Sequence, residues 1–255
     1  MKNDQDISIQ LYYTNDINSA KINDFINLHN KVFQSNFNEQ QYKKKYINNI
    51  YGPSIIVLSY VNNKCAGARA FWRNDLENLK AYQPCDTAVL DTYRGLGIFT
   101  KMTFRALEEI DKGAFVYNFP NDNSYPGYLK MGWKLKDKKR YKLYNPLTDN
   151  KTIDKLPNKY ARWLIEGSKE VFNDSVYYLY TGGHYYLVKK KKFNLFVIIA
   201  EIEKEVTTFL KKAYFPIILC YSTKGYLGRG LYTVIKNTNS EISINIPLYK
   251  IDTIF

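Results

Sequence analysis

Residues 88–102, Ala-Val-Leu-Asp-Thr-Tyr-Arg-Gly-Leu-Gly-Ile-Phe-Thr-Lys-Met, constrain what this chain can fold into more than any other segment. The stretch over 81–90 reads as a strand, and residues 98–111 place apolar side chains at helical spacing, with Lys112-Gly113 as a stop. Between them stand Arg94, Gly95, Leu96 and Gly97. A short loop that joins a strand end to a helix N-terminus leaves backbone N–H groups pointing outward, and the helix dipole adds a positive field there. Such a loop is an anion cradle. Gly95 and Gly97 tolerate positive φ and let a phosphate approach the backbone closely, while Arg94 stays charged at any physiological pH. It is not a Walker loop, because no Gly-Lys-Ser/Thr follows. It is not a dinucleotide fingerprint either, because Gly-x-Gly-x-x-Gly fails here.

Downstream, residues 121–133 read Asn-Asp-Asn-Ser-Tyr-Pro-Gly-Tyr-Leu-Lys-Met-Gly-Trp. Together the two segments resemble the GNAT family, the acyl-CoA-dependent N-acyltransferases. Members carry Arg/Gln-x-x-Gly-x-Gly/Ala in a pyrophosphate loop and Asn-x-x-Ala-x-x-x-Tyr-x-Lys-x-Gly-Phe shortly after it. The second pattern is met at Asn121, Tyr128, Lys130, Gly132 and the aromatic Trp133, with Ser124 for Ala. The first departs at Phe99, where the family has a small residue.

The resemblance spans about residues 5–145 and implies an α/β fold of mixed α+β character, a GNAT-type twisted mixed sheet with flanking helices. It implies acetyl-CoA as co-substrate and no metal. Arg94, Gly95, Leu96, Gly97, Ile98, Phe99 and Thr100 would clasp the pyrophosphate. The strand edge at Ala88 and Val89 would pair with the pantetheine amides, where the family's sheet splays. Asn121 would bond the same arm, with Ser124 and Lys130 beside it. For Asn121, a helix N-cap is the structural alternative, and the two roles are compatible. Tyr128 stands where the family places its general acid, and Tyr125 lies one turn earlier. A phenol suits that task, because its pKa near 10 lies close to that of a thiol, near 8.5.

An amine must be neutral to attack, so a base is needed. Asp86 and Asp91 flank the strand that enters the loop, and Asp86 is the better placed. His29 falls on the apolar face of a helix and reads as a core histidine, and His184 as a surface one. A carboxylate at the C-terminus, Phe255, is the base in some multi-domain relatives and the weakest candidate here.

Alternation over 7–12, helical spacing over 22–34, a second helix over 38–50 capped by Asn38, and apolar runs at 55–60 and 65–72 joined by Asn62-Asn63 complete the first part. After a strand at 114–119, a short helix at 122–131 and a strand at 133–144, the order is βααβββαβαβ. The turn-rich 145–150 marks a boundary between 1–145, the acyl-CoA-binding catalytic domain, and a smaller α/β half, 146–255, on the acceptor side. In that half a helix is expected at 159–172, strands at 176–180, 185–189 and 193–202, a helix at 203–214, a strand at 216–222, and terminal strands at 231–236 and 241–249. This is either a degenerate second GNAT-like half or an unrelated α+β appendage. Glu201, Glu203 and Glu205 stand where a second pyrophosphate loop would lie and would repel one. Residues 224–230, Lys-Gly-Tyr-Leu-Gly-Arg-Gly, imitate a phosphate loop, but an extended segment follows them, so they read as a hairpin loop.

The 255 residues carry a net charge of +13, spread over both halves, with 45% hydrophobic and 16% aromatic residues to fill a core. Lys43–Lys45 and Lys189–Lys192 are dense basic runs and read as solvated faces or as steering for anions. Three scattered cysteines suggest neither a disulfide framework nor a metal site. With a polar N-terminus and no long apolar run, the chain reads as cytoplasmic, a monomer or homodimer without a membrane span. The expected partner is a small-molecule amine, for which the resemblance favours an amino sugar or sugar nucleotide and the charge allows an anionic one. A non-catalytic CoA-binding scaffold is the competing reading, and specific nucleic-acid binding would rest on charge alone.

Overall fold

The computed structural model describes residues 6–110, 113–166, 176–214, 216–236 and 244–251. The Phe255 terminus and residues 167–172 of an expected helix lie outside them. The chain divides into two compact units with interleaved sequence. Unit 1 is Met1–Asn118, Lys130–Trp133 and Ile235–Ser243; unit 2 is Phe119–Leu129, Lys134–Val234 and Ile244–Phe255.

Unit 1 runs β1 (Ile7–Tyr13), α1 (Ser19–Phe33), α2 (Glu39–Tyr42) with a π-helical turn over Lys43–Ile47, β2 (Ile55–Val61), β3 (Lys64–Arg73), β4 (Ala81–Val89), α3 (Ile98–Glu109) and β5 (Phe115–Asn118). The strands lie in chain order, antiparallel from β1 to β4, with β5 parallel to β4. Every residue of β2 is buried. Its near-continuous apolar run, interrupted only by Ser59, is what a strand covered on both faces requires, rather than an alternation. Helix α1 packs on β3 and β4, and α3 on β1, β2 and β3. The caps are local: the Asn18 side chain accepts from the Lys21 N–H, and Asn38 forms a capping box with Gln41. Asn62 and Asn63 both take positive φ, the requirement of a two-residue hairpin. The Lys236 ammonium donates to the carbonyls of Met131 and Gly132, at 2.9 and 3.1 Å, and ties the return of the chain to unit 1.

Helix α3 sits close to its sheet because β3 offers it a glycine. A Cβ on Gly67 would lie 2.6 Å from Ile98 Cγ2 and 3.3 Å from the Met102 sulfur. Ile98 and Met102 are buried, so the first turn of α3 is seated on β3 through that gap.

Unit 2 comprises most of α4 (Tyr125–Lys130), β6 (Lys134–Leu143), α5 (Pro146–Asp149), α6 (Asn158–Glu166), β7 (Val176–Thr181), β8 (His184–Lys190), β9 (Leu195–Ile202), β10 (Lys211–Lys212), β11 (Ile217–Ser222) and β12 (Leu227–Lys236). Its strand order is β12-β6-β11-β9-β8-β7-β10. Leu179, Tyr186, Val188, Phe196, Ile198 and Ala213 form a buried cluster in it. The helix expected over 203–214 is replaced by a 3-10 segment, Lys204–Phe209, followed by β10. The reason is local. Val206-Thr207-Thr208 is a β-branched run, and both threonine hydroxyls bond back three residues, to the carbonyls of Lys204 and Glu205. The terminal strand expected over 241–249 is also not formed in its described part. Residues 244–247 are irregular, and Pro247, which has no N–H for a ladder, leads into a 3-10 turn over Leu248–Lys250. The hairpin loop expected over residues 224–230 is shorter, because β12 already begins at Leu227 and only 224–226 lie outside a strand.

Candidate active site

The loop in unit 1 has the geometry of an anion cradle. Gly95 and Gly97 have φ of +84° and +72°, and a Cβ on either would meet no atom within 4 Å. The backbone conformation, not crowding, is what requires glycine there. Gly97 is the N-cap of α3, and no side chain caps that end. The first turn carries no acidic residue, and the Lys101 N–H is the first to bond back, to the Gly97 carbonyl at 2.9 Å. The amides ahead of it belong to the set that a helix cannot satisfy internally. Arg94 is exposed and pairs with Asp91 at 2.8 Å. Phe99, the departure from the family pattern, has a physical partner. Its ring centroid lies 4.5 Å from the guanidinium carbon of Arg69, which is fully buried on β3 and also lies 5.3 Å from the Phe71 ring. A ring over a buried cation is an electrostatic contact, stronger when desolvated. Ile98 is buried, Thr100 half-buried and Leu96 exposed.

Beside the loop the sheet opens. Strand β5 pairs with β4 only at Ala81↔Phe115 and Tyr82↔Val116, whereas β3 follows β4 as far as Val89. From Gln83 to Val89 the β5-facing edge of β4 is therefore released within unit 1, which is the kind of edge that pairs with an extended amide chain. Ala88 is buried and Val89 half-buried on that stretch.

A β-bulge interrupts the same strand. Ala68 faces Ala88 and Ala70 faces Cys85, so Asp86 and Thr87 together oppose Arg69. Asp86 takes φ +44° there. Its Oδ2 accepts hydrogen bonds from the Lys45 ammonium at 2.8 Å and from the Tyr46 hydroxyl, and His29 Nε2 stands 3.9 Å from Oδ1. Burial pushes the Asp86 carboxyl up, but Lys45, Tyr46 and His29 outweigh it, and the net position is below the usual carboxylate range. Burial holds the His29 imidazole below its ordinary value, against the pull of Asp86. Asp86 is therefore an ionised, held carboxylate beside a neutral imidazole. A lowered carboxylate contributes stability that is complete above its unfolded pKa, near 4, and is lost as pH falls through the lower folded value. Urea unfolding of Asp86→Asn should lose this acid-side slope below about pH 4, while an unchanged slope would show that the ion pair contributes nothing.

Sequence reading did not find Lys45, Tyr46 or His29 as partners of Asp86. Lys45 ends a run that looks solvated, and the π-helical turn directs it inward. In unit 2, Asn121 Oδ1 accepts from the Ser124 N–H at 2.9 Å and from its hydroxyl at 3.1 Å, capping the turn into α4. Its Nδ2 makes no bond to a described residue. Tyr128 is 3% exposed. Lys130, assigned to unit 1, is exposed. Among the described residues no group of three or more His, Cys, Asp or Glu could hold a metal ion, and no helix is long and apolar enough to cross a membrane.

Residues 14–135 match the model of the acetyltransferase (GNAT) domain. A GCN5-related N-acetyltransferase from Kribbella flavida is similar in structure, with a TM-score of 0.54 at 9% identity over 91% of this chain and 71% of that one. A conserved protein of unknown function from Enterococcus faecalis gives 0.54 at 10% identity, over 90% and 72%. A Pyrococcus horikoshii protein gives 0.52 at 12% identity, over 95% and 94%. At such identities the likeness shows the fold alone. No curated protein matches the sequence.

Proposed function

We propose that the protein, whose residues 14–135 match the model of the acetyltransferase (GNAT) domain, is an N-acyltransferase that moves an acetyl group from acetyl-CoA directly to an amine in a ternary complex. The observation that carries this reading is the pairing, within unit 1, of an α3 N-terminus without a side-chain cap and the released β4 edge. The first suits a pyrophosphate and the second an amide-bearing arm. Both fit acetyl-CoA, which supplies the reactive thioester.

The chain's residues would act as follows. Gly95 to Thr100 orient the pyrophosphate through backbone N–H groups, with Arg94 adding charge. Ala88 and Val89 hold the pantetheine amides, and Asn121 donates from Nδ2 while its Oδ1 caps the turn. The amine nitrogen forms its bond to the acetyl carbon as the carbon–sulfur bond breaks. Tyr128 returns a proton to the departing sulfur. Asp86 accepts the amine's proton, directly or through the adjacent imidazole of His29, and the Lys45 contact keeps it ionised to do so. An amino sugar, free or nucleotide-linked, is the first acceptor to try, on the family resemblance, and a peptide N-terminus the second.

A panel of amines incubated with acetyl-CoA, read by released thiol, tests this proposal. Acceptor-dependent thiol release is the expected result; failure of every amine in the panel to release thiol, with acetyl-CoA still bound, would favour a scaffold that binds CoA without catalysis. Because Arg94 is exposed and already paired with Asp91, Arg94→Ala should weaken acetyl-CoA affinity by about three- to tenfold, within the range of exposed charge contacts.

A further inference from the structure

Strand β6 carries a basic residue at every second position: Lys134, Lys136, Lys138, Arg140 and Lys142. Period-2 alternation puts all five on one face. Lys142 is committed to Asp149 at 2.6 Å. The other four make no ion pair with a described residue, and Lys134, Lys138 and Arg140 are exposed. The strand's single acid, Asp137, belongs to the opposite face, where it accepts from the Thr233 hydroxyl at 2.7 Å and stands 3.8 Å from Lys139. Among the described residues, no carboxylate pairs with these four cations. Neighbouring cations lie about 6.7 Å apart along a strand, inside a Debye length at physiological salt, so they repel one another and an anion relieves them.

The row is partly preorganised. The Lys138 stem lies over Gly230 of β12, where a Cβ would come within 2.4 Å of Lys138 Cε, and its ammonium sits 4.8 Å from the centre of the Tyr232 ring. Tyr125 of α4 stacks on that ring at 4.1 Å and 14°.

We propose that this face of β6 is a docking surface for an extended, acidic polypeptide segment. An extended peptide with an acid at every second residue repeats at the same spacing as the row, so its carboxylates meet successive cations over roughly 20 Å. Single-stranded nucleic acid also repeats its charge, but it gains much of its affinity by stacking bases on open aromatic faces. The ring within the row is already engaged, stacked by Tyr125 and in contact with the Lys138 ammonium. The surface rests on unit 2 alone and does not depend on acyl transfer.

The test is fluorescence anisotropy of a labelled alternating Glu-Ser peptide with the full-length chain, across a salt series. Binding should weaken steadily with salt. The combined variant Lys134→Gln, Lys136→Gln, Arg140→Gln spares the packed Lys138 and should bind about tenfold more weakly, the loss expected for three exposed ion pairs. The variant Lys192→Gln, Lys204→Gln, Lys224→Gln removes the same charge elsewhere and should bind as the wild type does. Circular dichroism melting of both variants separates lost binding from lost folding. Absent binding, equal losses in the two variants, or tighter binding of oligodeoxythymidylate of equal charge would each overturn the proposal, the last in favour of a nucleic acid.

Discussion

Tyr128→Phe is expected to lower kcat for acetyl transfer by roughly a hundredfold or more, the scale of general acid catalysis, and to leave acetyl-CoA affinity within about twofold. Only the hydroxyl is removed, so the packing of a side chain that is 3% exposed is kept and the fold should survive. The loss falls on kcat because the proton is needed as the carbon–sulfur bond breaks, not while the thioester binds. Single-turnover kinetics with saturating acetyl-CoA read it directly. Tyr125→Phe is the matched control. Its ring is stacked on Tyr232, and turnover should be unchanged if Tyr128 is the acid. Equal turnover in wild type and Tyr128→Phe would remove that residue from the mechanism.

Gly67→Val is expected to destabilise the chain by about 3 kcal/mol, the upper part of the usual range for overpacking a core. Its first carbon alone would fall 2.6 Å from a methyl of buried Ile98. The helix can relieve that contact by lifting its first turn off β3, and this turn is part of the proposed anion cradle. Loss of urea stability should therefore be accompanied by loss of acetyl-CoA affinity. Gly95→Ala makes the useful contrast. It meets no atom within 4 Å, so its cost is the positive φ alone, about 1 kcal/mol. If Gly67→Val were as stable as the wild type, α3 would not be seated on the sheet in this way.

The parts of the fold that could be read in advance are those set by local chemistry. The near-continuous apolar run of β2, the Asn38 cap, the Asn62-Asn63 turn and the glycines before α3 each have one physical solution, and the element order through β6 follows from them. The surroundings of Asp86 were not legible, because a bulge resets which face a strand residue points to, and alternation carries no signal for where a bulge falls. The role of Phe99 was equally hidden, since its partner Arg69 lies on another strand and a buried arginine contradicts the usual burial preference. Residues 203–214 looked helical by apolar spacing, but the threonine back-bonds won. The interleaving of the two units could not be foreseen either: nothing in linear order marks Ile235 and Lys236 as belonging to unit 1.

The central claim is that the loop from Arg94 to Thr100, with the open edge of β4, holds acetyl-CoA. Calorimetric titration of acetyl-CoA into the full-length chain tests it most directly. Saturable binding at one site, weakened by Arg94→Ala and abolished by Gly67→Val, is the predicted result. No heat of binding up to high micromolar acetyl-CoA, from protein shown to be folded, would contradict it.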